Sequence, residues 1–216
     1  MKKLTYLFIL ALCLFSSSCT MMVKGIAKLL VKDYNDYTDT NVSDIQIIDN
    51  HGSIRSFGSL YKGKTVYLYV WENTKPSVQQ EKSYRLLQER FAKYPDVVFA
   101  SLYTGSDTSS VNKLGRDASS DKFRNILKIS NPAPFIIGKD GSILAYKGPK
   151  PDDKIIVDYV LYQAMAGVNG TKSAKRFIRG VNGNNQFKSR ELTEWYTGHF
   201  GKAPDEKLNM SLSSTN

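Results

Sequence analysis

The chain has 216 residues, 41% hydrophobic and 12% aromatic, which is enough for a packed core and too apolar for global disorder. Thirty lysines and arginines against twenty aspartates and glutamates give a formal net charge of +10. With two histidines and two cysteines in all, the composition argues against a zinc site and no cofactor is expected.

The N-terminus reads as a targeting segment over residues 1–18. Lys2 and Lys3 precede an apolar run, Leu4 to Phe15, that is too short to span a bilayer as a helix. The small residues Ser16, Ser17 and Ser18 then lead to Cys19. This pattern resembles a bacterial lipoprotein signal, in which the cysteine becomes the lipidated first residue. Ser16 departs from it, because leucine usually stands three residues before the cysteine. An ordinary secretory signal cut near Ser18 is the alternative, and lipidation at Cys19 is the favoured expectation. The other cysteine, Cys13, lies inside the signal, so a chain processed at Cys19 would keep no free thiol. In an exported protein the positive charge points away from nucleic acid and toward anionic envelope surfaces or plain solvation.

Residues 19–43 form a lead-in. Met21 to Tyr34 has the apolar stripe of a short amphipathic helix (Val23, Ile26, Ala27, Leu30, Val31). It suits either a membrane surface or packing on the domain, the latter slightly preferred. A domain is expected over 44–167. Asp44–Asp49 and Ser53–Phe57 read as a hairpin around Asn50-His-Gly52. Thr65–Trp71 is a strand apolar on both faces. Ser77-Val-Gln-Gln80 is a capping box opening a helix that runs through Val78, Tyr84, Leu87 and Phe91 and stops at Tyr94-Pro-Asp96. Asp96–Tyr103 is a second buried strand, which completes a βαβ unit. Thr104–Ser120 reads as loop and Asp121–Ile129 as a short helix with Phe123, Ile126 and Leu127 inward. Phe135–Gly138 and Ile143–Tyr146 form a hairpin around Asp140-Gly141. A helix is expected from Pro149 through Gly167, with Asp152 and Asp153 as carboxylates at its N-terminus. Residues 168–216 form a basic, turn-rich extension with enough apolar surface to dock. Arg190–His199 within it is expected to be helical, and Leu208–Asn216 is expected to be a disordered tail.

This order of elements resembles the thioredoxin-like fold, an α/β fold with a central mixed sheet flanked by helices, here with a C-terminal extension. More narrowly, residues 44–166 resemble exported, membrane-tethered thiol-disulfide oxidoreductases and their peroxidase-like relatives. The matching pieces are Ile45 with Asp49-x-x-Gly52, Tyr61-x-Gly-Lys64, Trp71, Glu81, and Pro134-Phe-Ile-Ile-Gly-Lys-Asp-Gly141. In that family a Cys-x-x-Cys pair follows the tryptophan. Aligning Trp71 and Glu81 puts Lys75-Pro76-Ser77-Val78 at its place, with Lys75 and Val78 at the cysteine positions. The resemblance thus implies a degenerate member in which neither thiol chemistry nor a resolving cysteine is present. Ser77 reads as an N-cap, since no histidine lies near it in sequence to activate it as a nucleophile. Pro134 matches the family's proline beside the active site, often cis. In the family that segment offers backbone to an extended polypeptide, which makes Trp71, Ala133 and Pro134 candidate partner contacts by strand addition.

The expected function is therefore that of a redox-inactive, envelope-located lipoprotein, periplasm-facing, that binds a protein or peptide partner. No catalytic or metal-binding residue is assigned and no nucleic acid is expected. Two alternatives stay open: a redox-class enzyme that relies on a partner's thiol or on Lys75, and a module whose basic C-terminal segment binds anionic lipid or glycan.

Overall fold

A computed structural model describes residues 31, 34, 39–49, 51–71, 77–104, 118–128 and 132–212. The signal segment, Cys19, Lys75 and Pro76 lie outside the described residues. In chain order the strands are β1 (Gln46–Asp49), β2 (Ile54–Ser56), β3 (Thr65–Trp71), β4 (Val97–Tyr103), β5 (Ala118–Ser119), β6 (Ala133–Ile137) and β7 (Ile143–Ala145). The helices are α1 (Phe57–Leu60), α2 (Val78–Phe91), α3 (Asp121–Ile126), α4 (Ile156–Ala164), α5 (Gly170–Arg179) and α6 (Arg190–Phe200).

One sheet takes all the strands in the order β2-β1-β5-β4-β3-β6-β7. β3 and β4 run parallel, joined by α2, with Thr65 opposite Val97 and Trp71 opposite Tyr103. β6 is antiparallel to β3, and β7 is antiparallel to β6. A parallel β-α-β unit continued by an antiparallel hairpin and a closing helix is the thioredoxin-like arrangement. The chain has that fold.

β3 explains why the core has two halves. Its seven residues are all buried, and alternate side chains leave the strand on opposite faces. Tyr67, Tyr69 and Trp71 enter one cluster with Leu87 and Phe91 of α2 and the inner faces of α4, α5 and α6. Val66, Leu68 and Val70 enter the other with Phe57, Phe123, Leu127 and Phe135. One face of the sheet is thus aromatic and the other largely aliphatic, each covered by helices.

Several expectations hold locally for visible reasons. Ser77 and Gln80 form the capping box in full: Ser77 N donates to Gln80 Oε1 at 2.8 Å and Gln80 N to Ser77 Oγ at 3.2 Å. In the Asp140-Gly141 turn Gly141 takes φ +83°, a conformation few other residues adopt, while Asp140 Oδ1 accepts from Ser142 N at 3.0 Å.

Others are corrected. Ala118–Ser119, read within a loop, is a strand that pairs with both β1 and β4 and joins the first hairpin to the sheet. Two small residues carry no alternation by which to recognise it. Ile126 is 40% exposed, so the inner side of α3 is Phe123 and Leu127. The helix expected from Pro149 starts only at Ile156. Residues 151–155 form turns, with Asp153 buried and its Oδ2 accepting from Lys150 N at 2.7 Å. Ile155, just before the helix, takes φ +67°, outside helical space, so the preceding turns cannot join it.

The C-terminal extension is not an appendage. Asn169 Oδ1 accepts from Thr171 N and Lys172 N and caps α5, a helix the sequence reading had as turns. Phe177, Ile178, Leu192, Trp195 and Tyr196 are buried in the same cluster as Tyr67 and Leu87. Leu208, expected in a disordered tail, is 3% exposed and its N–H donates to Asn185 O at 2.9 Å. Ser211 Oγ contacts Lys154 N and Asp152 O. At the other end, Val31 and Tyr34 are buried in this cluster as well, and Val31 O accepts from Thr171 Oγ1 at 2.7 Å. These two lead-in residues pack on the domain.

Candidate functional site

The candidate site lies where β3 ends and α2 begins. Trp71, the last residue of β3, is 1% exposed and stacks on Tyr69 with centroids 4.2 Å apart and an interplanar angle of 29°. Its carbonyl accepts from Thr104 N at 3.0 Å and Thr104 Oγ1 at 3.1 Å, which ties the end of β3 to the end of β4. The Tyr69 phenol is pushed up to about 12 by burial, with a smaller contribution from the Asp152 carboxylate. It is a neutral packing group at neutral pH and not a base.

Across the sheet, Ala133 stands opposite Val70 and Pro134 opposite Tyr69. The structure therefore brings Trp71, Ala133 and Pro134 together at one end of the β3–β6 pair. All three side chains are buried, so a contact by strand addition there would run through backbone groups. Pro134 is a correction in one respect. The cis bond among the described residues is Gly148–Pro149, and Pro134 follows a trans peptide as an ordinary residue of β6. β6 pairs with β7 only at Ile136 and Ile137. At Pro134 one side of the strand therefore has no ladder, and a residue without an N–H is tolerated there.

The exposed part of the site is the helix start. Ser77 is the N-cap, its hydroxyl oxygen accepting from Gln80 N at 3.2 Å. Val78 is 85% exposed, an apolar side chain presented to solvent at the first helical position. Lys75 and Pro76, the other two positions of the four, lie outside the described residues.

A second constellation escaped the sequence reading. Asp158 of α4 is 1% exposed in its side chain and receives Arg90 of α2 in two bonds, Nε at 2.6 Å and Nη2 at 3.1 Å. His199 of α6, fully buried in its side chain, places Nε2 2.9 Å from the same carboxylate. The carboxylate accepts, so Nε2 carries a proton, and Nδ1 lies 3.1 Å from the Tyr94 hydroxyl. Burial raises the Tyr94 phenol above its ordinary value. The imidazole lies between the rings of Trp195 and Tyr94, at 11° and 18° to them, and Lys93 Nζ reaches the carbonyls of Gly198 and His199. This is a tie of α2 and α4 to the C-terminal extension. Its signal in sequence was a lone aspartate inside the apolar run Ile156-Val-Asp-Tyr-Val-Leu161, with His199 one helical turn after Trp195.

No group of His, Cys, Asp and Glu suited to a metal ion occurs among the described residues. A cavity of about 270 Å³ opens at the opposite end of β3, lined by Tyr61, Lys62, Lys64, Lys139 and their neighbours. There Lys139 and Lys64 both approach Asp96, at 3.1 Å and 3.5 Å. The Lys139 hydrogen bond foremost holds that carboxyl below its ordinary value.

No family model matches the chain and no curated protein matches it. Solved structures similar to it include a protein described as a thiol-disulfide oxidoreductase from Bacteroides vulgatus, at 19% identity and a TM-score of 0.47, covering 60% of this chain and 96% of that one. A thiol:disulfide interchange protein of the thioredoxin family from Chlorobium tepidum gives 14% identity, a TM-score of 0.43, and coverage of 58% and 96%. A thiol-disulfide oxidoreductase from Bacteroides fragilis gives 13%, 0.40, 59% and 96%. The fold assignment rests on strand order and connectivity above, and these likenesses carry no activity across to this chain.

Proposed function

We propose that the chain is a non-catalytic thioredoxin-like protein of the cell envelope, held at the membrane through Cys19, that binds a protein or peptide partner with the surface at the start of α2. The observation that carries this reading is the combination at that helix start. The scaffold that would present a redox pair is kept, with a complete capping box, while Val78 occupies a cysteine position and stands 85% exposed. The chain's cysteines are Cys13 and Cys19, both far upstream of the helix. Without a thiolate the helix N-terminus has no nucleophile to activate. An exposed apolar residue beside a rigid helix end is instead suited to contact. The redox-class alternative needs a thiol from outside the chain.

Val78→Asp tests the reading. Because Val78 is exposed and an acidic residue is favourable in a first helical turn, the variant is expected to keep the melting temperature of the parent. A partner recovered from envelope extract on the immobilised full chain is expected to bind the variant about 10-fold or more weakly, the effect of burying a charge in an apolar contact. Undiminished recovery would place the contact elsewhere.

A further inference from the structure

α5 has two unlike faces. Thr171, Ser173, Ala174, Phe177 and Ile178 are buried against the core. The outward face carries Lys172, Lys175, Arg176 and Arg179; the segment that follows adds Lys188, and the start of α6 adds Arg190. Two of these cations are answered: Arg176 pairs with Glu191 at 2.7 Å and Arg190 with Glu194 at 2.6 Å. Among the described residues no carboxylate lies within ion-pair reach of Lys172, Lys175, Arg179 or Lys188. Positions 172, 175 and 179 share one side of the helix and extend about 10 Å along it. The N–H groups at the start of α5 are not the attractor, since Asn169 already accepts from Thr171 N and Lys172 N.

We propose that this face of α5, with Lys188, docks the protein on an anionic lipid surface. Long cationic side chains in an open row enclose no small anion, and the lysine-lined cavity described above belongs to other elements. Delocalised negative charge is the complement of such a row. The expected lipid anchor at Cys19 favours a bilayer over a soluble acidic polymer. Each cation within the surface potential of an anionic leaflet strengthens the contact, and four uncompensated ones suffice to orient an anchored domain. The proposal concerns a different element from the start of α2 and stands or falls separately from partner binding there.

The test uses residues 20–216, so that neither the apolar signal run nor an acyl group is present, compared with the same chain also carrying K172E, K175E, R179E and K188E. Binding is measured to vesicles of phosphatidylcholine mixed with phosphatidylglycerol, at low and high salt. The parent is expected to bind about 100-fold or more tightly than the quadruple variant at low salt, and to lose that advantage as salt rises. The four side chains lie on the outward face, so circular dichroism and melting of the two chains are expected to agree. If charge reversal disturbs folding, glutamine at the same four positions replaces it. Equal affinity of parent and variant for the anionic vesicles overturns the proposal. So does displacement of the parent from vesicles by polyglutamate at equal charge concentration, which would assign the face to a soluble acidic polymer.

Discussion

Asp158→Ala is expected to destabilise the protein by about 3–5 kcal/mol, the cost of removing one partner from a buried ion pair. The reason lies in what remains. Arg90 directs two N–H groups at that carboxylate, and His199 Nε2 lies 2.9 Å from it in a fully buried position. Without Asp158 the guanidinium can turn toward water, because its side chain is 28% exposed, but the imidazole cannot. The buried Nε2 of His199 then loses its partner. For a domain of this length the loss corresponds to a fall in melting temperature of about 10 °C. Denaturant unfolding of the two proteins measures it. A change below about 1 kcal/mol would mean that the tie among α2, α4 and α6 contributes little.

Phe177→Ala is expected to cost a similar amount, about 3–5 kcal/mol, through lost burial and the cavity left behind. The ring is 1% exposed and meets Tyr159 of α4 at 5.4 Å, with edge contacts to Phe187 at 5.9 Å and Trp195 at 6.3 Å. It is the point at which the C-terminal extension is continuous with the cluster under β3. A single cooperative transition, shifted as a whole, is the expected result in calorimetry or denaturant melts. A separate early transition, with the main one unmoved, would show residues 168–212 unfolding as a unit of their own.

What the sequence disclosed follows from periodicity and local chemistry. β3 was legible because six consecutive apolar residues, Val66 to Trp71, have no place except between two covered faces. The α2 start was legible because Ser77 and Gln80 stand at capping-box spacing. The β6–β7 turn was legible from Asp140-Gly141. β5 was not, since two small residues between loop segments have no pattern of their own. α5 was hidden by its flanks: Asn169-Gly170 reads as a turn, although the asparagine is a cap and Thr171, Ala174, Phe177 and Ile178 keep helical spacing. Pro134 was given a cis peptide by resemblance; in the sheet it follows a trans peptide and pairs with Tyr69 of β3. The Arg90–Asp158–His199 tie joins residues 68 and 41 positions apart, and nothing local marks such a meeting.

Loss of thiol chemistry with retention of the thioredoxin-like scaffold is tested most directly by reduction of insulin disulfides with dithiothreitol as electron donor. The purified protein prepared as residues 20–216, which contain no cysteine, is predicted to give a rate indistinguishable from dithiothreitol alone. The K75C/V78C variant, with a thiol pair restored at the capped helix start, is the positive comparison. Reduction by the unmodified protein well above the dithiothreitol control would contradict a non-catalytic role.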